Sequence, residues 1–398
     1  MNILIFNCGS SSQSFKVYSI VKESPPKVVA SGKAKNVATK TKAEPQIDWQ
    51  INGQKGSKQA DLSSHRLAAI ENLRLLQEHG VTVDAVGHRF VHGGEFFTST
   101  ALITSETTEK LKACFHLAPI HNPNSYSVID VCREMLPGVP QYAVFDTAFH
   151  ASLSPEAFRY ALPLDLAARH GLRKYGFHGL SYTYVSKRAA VLLGKPLDQV
   201  KLVMCHLGTG GSSVCAFANG HSVETSMGYS PLAGLVMSTR SGDIDAEVVL
   251  ELLRSGMQAE EIDEMLNNRS GLIGLSGVSS NLEEVIAEGE KGSEDCRVAA
   301  GVYANRLKLY LGGYYWMLNG ADAIVFTDSV GTQSWKLREM VCGGVESLGI
   351  RLDHEKNRLT SAERESFIEA EGSTARILVI PTDEESVILD EVIQALNQ

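Results

Sequence analysis

The chain has 398 residues, 43% of them hydrophobic and 21% charged, which is too long for one ordinary core and suits two globular domains. Its formal net charge of -9, with no Lys/Arg cluster, excludes a nucleic-acid surface and points to small-molecule partners. No stretch approaches the roughly 20 apolar residues of a membrane span, the start Met1 to Asn7 lacks a basic leader, and the scattered cysteines form no C-x-x-C pair, so a cytoplasmic protein with reduced thiols and no membrane partner is expected.

The run Asn2 to Phe6 predicts a strand; Gly9-Ser10-Ser11-Ser12 is a small-residue turn, and the alternating Phe15 to Ile20 predicts a second strand. Gln46 to Gly56 reads as a surface hairpin. A helix is expected over Arg66 to Glu78, with Ser63 and Ser64 as cap candidates and Gly80 closing it. Tyr142 to Phe145 predicts a buried strand, and Ser181 to Leu193, stopped by Gly194, a helix.

The opening device then recurs: Lys201 to Cys205, the turn Gly208-Thr209-Gly210-Gly211-Ser212-Ser213, and Val214 to Phe217. A helix from Val298 to Leu318 before Gly320 and strands at Ala323 to Phe326 and Ile377 to Ile380 follow. Both halves alternate strands and helices, the signature of α/β architecture. A Gly/Ser turn between strands exposes backbone N–H groups that suit phosphate oxygens, although one copy alone reads equally well as an ordinary hairpin turn. The repeat favours a phosphate clamp.

Arg89 lies in Gly87-His88-Arg89 before the glycines of His92-Gly93-Gly94-Glu95, and Arg240 lies in Ser238-Thr239-Arg240-Ser241-Gly242-Asp243. Each is either a surface arginine or a guanidinium presented to an oxyanion, and the pair would suit a carboxylate and a phosphoryl group. His121, His178 and His206 read as structural hydrogen bonders or as phosphate partners, with His178 best placed, before a helix start. None has the spacing of a zinc site. Phosphoryl transfer between anions calls for Mg2+ held by few carboxylates, and Asp146, at the end of a strand, is the natural candidate. Glu384 is a second, or else a helix-dipole acid within a Thr382-x-x-Glu385 capping box.

The strings Asn7-Cys8-Gly9-Ser10-Ser11-Ser12, Gly87-His88-Arg89, Phe145-Asp146-Thr147, Tyr175-Gly176-Phe177-His178-Gly179, Thr225-Ser226-Met227-Gly228 and Pro381-Thr382 together closely resemble the acetate kinase family, from Asn2 to the final helix. The resemblance implies two duplicated actin-like (ribonuclease-H-like) α/β domains with a central cleft. One would span 1–150 plus 384–398, and the other, carrying the donor site, 151–383. It implies a cytoplasmic homodimer converting acetate and ATP to acetyl phosphate and ADP with Mg2+, or Mn2+ in its place. Arg89 and Arg240 would bind the carboxylate and the phosphoryl group in flight, His178 would stabilise its charge, and Asp146 and Glu384 would position the metal, with Asn7 at the metal or phosphoryl site. Ser10, Ser12, His121, His206, Gly208, Thr209, Gly210, Gly211, Asn281, Ser329, Val330 and Gly331 would bind the donor. Val91, Ile120, Phe177 and Pro231 would take the acyl methyl.

The departures from the family pattern gather on the donor side. Thr209 stands for an Asn, Ser238 for a Gly, Asn281 and Glu283 for an Asp and an Arg, and Ser329 to Gln333 for the usual Gly-Ile-Gly-Glu-Asn. Ser14 and Tyr182 also replace a Lys and a His. They leave open a pyrophosphate/phosphate donor pair or another nucleotide in place of ATP/ADP, or propionate or another short acid as acceptor. A binding-only relative or a sugar kinase fits less well, because the first has no need of Asn7, Arg89, Asp146, His178, Arg240 and Glu384 together and the second needs a general base beside a hydroxyl.

Overall fold

The computed structural model describes residues 1–39 and 44–397. The chain divides into two compact units, Met1–Ala148 with Asp383–Gln398, and Phe149–Thr382, against borders at 150 and 384 expected from the resemblance.

In the first unit the strands are β1 (Asn2–Cys8), β2 (Ser12–Ser19), β3 (Lys27–Lys35), β4 (Gln46–Ile51), β5 (Gln54–Gln59), β6 (Ala85–Phe90), β7 (Ala101–Leu102) and β8 (Gln141–Phe145), in sheet order β5-β4-β3-β2-β1-β6-β8-β7. β1 pairs antiparallel with β2 and parallel with β6, which in turn runs parallel to β8. Ile3, Leu4, Ile5 and Phe6 are all fully buried, as an unbroken apolar strand must be when both sheet faces are covered. Leu4 and Phe6 pack with Ala68, Ala69, Val128 and Val131 of the helices His65–Glu78 and Asn122–Met135. Ser64 caps the first of these, its hydroxyl accepting from Leu67 N at 3.2 Å. The opposite face receives the helix Glu384–Leu396. A Cβ at Gly87 on β6 would stand 2.8 Å from methyls of both Ile388 and Val392, so only glycine lets this helix settle on the sheet.

The second unit holds β9 (Leu202–Leu207), β10 (Ser212–Ala218), β11 (His221–Thr225), β12 (Ala323–Thr327), β13 (Ser366–Phe367) and β14 (Arg376–Val379), in order β11-β10-β9-β12-β14-β13. β9 is buried throughout, Val203 and Cys205 facing the helix Glu294–Met317, and Leu202 and Met204 facing the helix Gly179–Leu193. The run β11-β10-β9-β12-β14 repeats β3-β2-β1-β6-β8 in order and in direction, two antiparallel pairings followed by two parallel ones. The recurring Gly/Ser turns are therefore the same corner of one duplicated actin-like topology.

The segment read as a surface hairpin is one: β4 and β5 pair antiparallel, and β4 joins the pair to the edge of the main sheet. Two local expectations shift. The helix expected from Val298 begins at Glu294, because Ser293 caps it and Glu294 and Asp295 suit its positive end, a polar turn that apolar periodicity does not register. No capping box forms at Thr382: Asp383 is the cap, accepting from Ser386 N at 3.3 Å, and Glu384 is the first helical residue.

Candidate active site in two clusters

In the first unit Asn7, Arg89 and Asp146 stand at the carboxyl ends of the parallel neighbours β1, β6 and β8, where open α/β sheets place their ligands. Arg89 grips Asp146 bidentately, Nε to Oδ1 at 3.1 Å and Nη2 to Oδ2 at 2.6 Å. Its Nη1 donates to Asn7 Oδ1 at 3.1 Å and lies 3.8 Å from Glu384 Oε2, which accepts from Asn7 Nδ2 at 3.1 Å. The Asp146 side chain is 1% exposed, Arg89 15% and Glu384 14%. Burial works against the Arg89 charge, but Asp146 and Glu384 outweigh it and hold its ionisation above the ordinary arginine value. One guanidinium against two carboxylates leaves the cluster negative and suited to a cation. Around it, Glu385 accepts from Ser14 Oγ at 2.9 Å, and Lys16 reaches Asp383 at 3.3 Å and Glu385 at 3.5 Å.

In the second unit His206, near the end of β9, and Asp328, directly after β12, occupy the corresponding strand ends, with Thr327 in register with His206. His206 Nδ1 meets Ser181 Oγ at 2.8 Å and its Nε2 lies 3.3 Å from Asp328 Oδ2. His178, with φ of 60°, precedes the helix Gly179–Leu193, and its Nδ1 meets Ser213 Oγ at 2.8 Å, an oxygen shared with the Tyr182 hydroxyl at 2.5 Å. The two imidazoles stack with centroids 4.0 Å apart. Gly211 sits where His178 converges with Arg240: a Cβ there would be 3.3 Å from His178 Nε2 and 3.5 Å from Arg240 Nη1. Arg240 donates to Gly210 O at 3.3 Å, and burial lowers its ionisation, with no carboxylate among the described residues to offset it. That is an anion-seeking charge.

Beside the turn Gly208, Thr209, Ser238, Asn281, Glu283 and Val330 help line a cavity of about 60 Å³. Ser238 closes one side, its Oγ donating to Thr209 O at 2.5 Å. Ser329 lines the cavity too, whereas Gly331 is buried and gives its carbonyl to Arg338 at 2.7 Å. Asn281 reaches the cavity wall, but its Oδ1 accepts from Glu283 N at 2.9 Å and Glu284 N at 3.3 Å, so it serves first as a helix cap. Ser10 is exposed in the first turn, closed by Gly9 N to Ser12 O at 2.9 Å. His121 is half-buried at the N-cap position of Asn122–Met135. Among the residues expected at the acyl methyl, Val91 is buried and Ile120 is 55% exposed in the first unit, while Phe177 is buried and Pro231 half-buried in the second.

Two residues escaped sequence reasoning. Asp328 follows an apolar strand just as Asp146 does, and the same rule would have selected it. Arg338 is 1% exposed and binds Gly331 O, Thr332 O and Asn357, bracing the short helix Asp328–Gln333; burial lowers its ionisation to about 10. Nothing in its flanking sequence marks it.

The comparisons with known proteins run over nearly the whole chain. An acetate kinase from Dictyoglomus turgidum is 41% identical, covering 100% of this chain and 98% of that protein. Among solved structures, the acetate kinase of Entamoeba histolytica is similar with a TM-score of 0.90 and 38% identity, over 99% of each chain. A propionate kinase from Francisella tularensis subsp. tularensis is similar with a TM-score of 0.88 and 36% identity, over 98% of each. Such likeness defines a phosphotransferase with a carboxyl group as acceptor. The model of the acetokinase family matches residues 2–390, and the chain belongs to that family.

Proposed function

We propose that the chain transfers a phosphoryl group reversibly between ATP and acetate, giving ADP and acetyl phosphate. The observation that carries this reading is the convergence of Arg240 and His178 on Gly211, where a guanidinium that has no carboxylate partner among the described residues meets an imidazole at a turn of bare backbone. Arg240 and His178 neutralise the phosphoryl oxygens, the turn Gly208 to Gly211 receives the donor phosphates with Ser10, Ser12, His121 and His206 in support, and Arg89 orients the acceptor carboxylate. That carboxylate is itself the nucleophile, so the transfer needs no general base and rests on positioning and electrostatics.

The negative first cluster fits Mg2+. Among the described residues no group of three or more His, Cys, Asp or Glu could hold a metal, and a magnesium ion asks for only one or two carboxylates. Asp146 and Glu384, with Asn7, would hold it, and when bound it would offset charge on the phosphates. Among the described residues no helix is long and apolar enough to cross a membrane, and all seven cysteines are free and buried, which fits the cytoplasm. Val298, Val302, Leu309 and Trp316 form an exposed apolar stripe on one face of the helix Glu294–Met317, a face suited to a second copy. Sedimentation of the purified chain as a monomer would remove the homodimer.

A second reading, with pyrophosphate as donor, draws on the cavity beside the turn. Its volume of about 60 Å³ is far below the roughly 300 to 1,000 Å³ of sites that enclose a drug-sized ligand, and the Ser238 to Thr209 bond narrows it. The deciding assay measures acetyl phosphate, and propionyl phosphate in parallel, formed with Mg2+ and either ATP or pyrophosphate. Turnover with ATP alone removes the second reading, and turnover with pyrophosphate alone removes the first. If ATP is the donor, Ser238→Gly lowers its KM several-fold while the KM for acetate stays in place.

A further inference from the structure

Asp328 carries a cost that the fold does not require. Its φ of 61° lies in the left-handed region, which residues with a side chain rarely adopt. That backbone turns the carboxylate toward β9, so that Oδ2 lies 3.3 Å from His206 Nε2. The other ring nitrogen of His206 is held by Ser181 at 2.8 Å, and the Asp328 carboxylate faces the remaining one. The carboxylate also occupies the space beside Gly208, where any Cβ would collide with Oδ2; the glycine that opens the turn is what admits it. At 33% exposure the side chain of Asp328 is open to solvent, whereas that of His206 is 7% exposed.

A carboxylate oxygen and a phosphate oxygen are equivalent partners for a ring N–H. We infer that Asp328 is a specificity-determining residue of the donor side: its carboxylate takes the position on His206 that a donor phosphate oxygen would take, and disfavours donors in proportion to the charge they bring there. The inference rests on the reading that donor phosphates bind at the turn Gly208 to Gly211. A like charge a few ångströms away repels a bound anion, so the residue sets a threshold that a polyanion crosses only with its countercharges, Arg240 and the accompanying cation.

The test compares the full-length wild type with Asp328→Asn, which keeps the size and tolerates the positive φ, and with Asp328→Gly, which relieves the φ outright. Calorimetry measures binding of pyrophosphate and of tripolyphosphate with Mg2+, and steady-state kinetics measure the KM of donor and of acetate. Removing the charge should tighten both anions about tenfold or more, tripolyphosphate more than pyrophosphate, with the gain shrinking as salt rises and the KM for acetate unchanged. Unchanged or weaker anion binding in both variants overturns the inference, as does an equal change in the KM for acetate or a failure of every form to bind either anion. A wild type that binds pyrophosphate under Asp328 control yet makes no acyl phosphate overturns the proposed reaction and leaves the inference standing; a wild type that turns over while both variants bind anions as it does gives the reverse.

Discussion

The two units place their polar clusters at the same points of one topology, the carboxyl ends of the parallel strands, and fill them with opposite chemistry. In the first, Arg89 is enclosed by Asp146, Glu384 and Asn7, and the surplus charge is negative until a cation is bound. In the second, Arg240 reaches a backbone carbonyl and, among the described residues, has no carboxylate partner; two imidazoles stack on each other, and the acid at the strand end, Asp328, faces one of them. Duplication decides where a site can form; the side chains decide which sign of charge it attracts. One cluster is arranged for a cation, the other for an anion.

If that contrast is right, the largest effect belongs to the unpaired arginine. Arg240→Ala should lower kcat about a thousandfold, as loss of a transition-state countercharge does, with the melting temperature unchanged. A kcat within a few-fold of wild type would end its assignment. In the first unit the same kind of truncation should strike stability instead. Asp146→Ala strands a buried guanidinium and should cost about 3 kcal/mol, measured by urea unfolding. A loss below about 1 kcal/mol would show that Glu384 and Asn7 suffice to hold Arg89.

The smallest effect is a pH dependence. Burial alone raises the Glu385 carboxyl, but Lys16 and the Ser14 hydroxyl outweigh it and leave the group below its usual value. A depressed folded value stabilises the protein above the unfolded carboxylate pKa, and the gain is lost as pH falls through the folded one. Lys16→Met should therefore be less stable than wild type by about 1 kcal/mol near neutrality, and the gap should close in acid below the ordinary carboxylate range. A gap that persists there would trace the loss to packing of the Lys16 stem.

Much of this contrast was visible in the sequence, and unevenly. The strand, turn, strand repeat is a local pattern of period two around glycines, so both sheet corners could be read directly. Asp146 stood out as an acid ending an apolar strand, and Arg89 as an arginine among glycines. The partners could not be read so easily: Glu384 arrives from the far end of the chain because Gly87 leaves room for its helix. Arg338 depends on burial among backbone carbonyls, which no spacing rule encodes; the positive φ of Asp328 is equally silent in sequence, although its place after an apolar strand is not. Thr382 shows the opposite failure, a capping motif in sequence whose place is taken by its neighbour Asp383.

The arrival of the helix Glu384–Leu396 from beyond the second unit has a consequence for biosynthesis. Residues 1–148 reach the ribosome exit long before the segment that closes their sheet, so throughout translation of the second unit Ile5 and Gly87 lack Ile388 and Val392, and Arg89 lacks Glu384. The nascent first unit thus waits with one apolar face open, and its cation cluster is completed only after the anion cluster has been made.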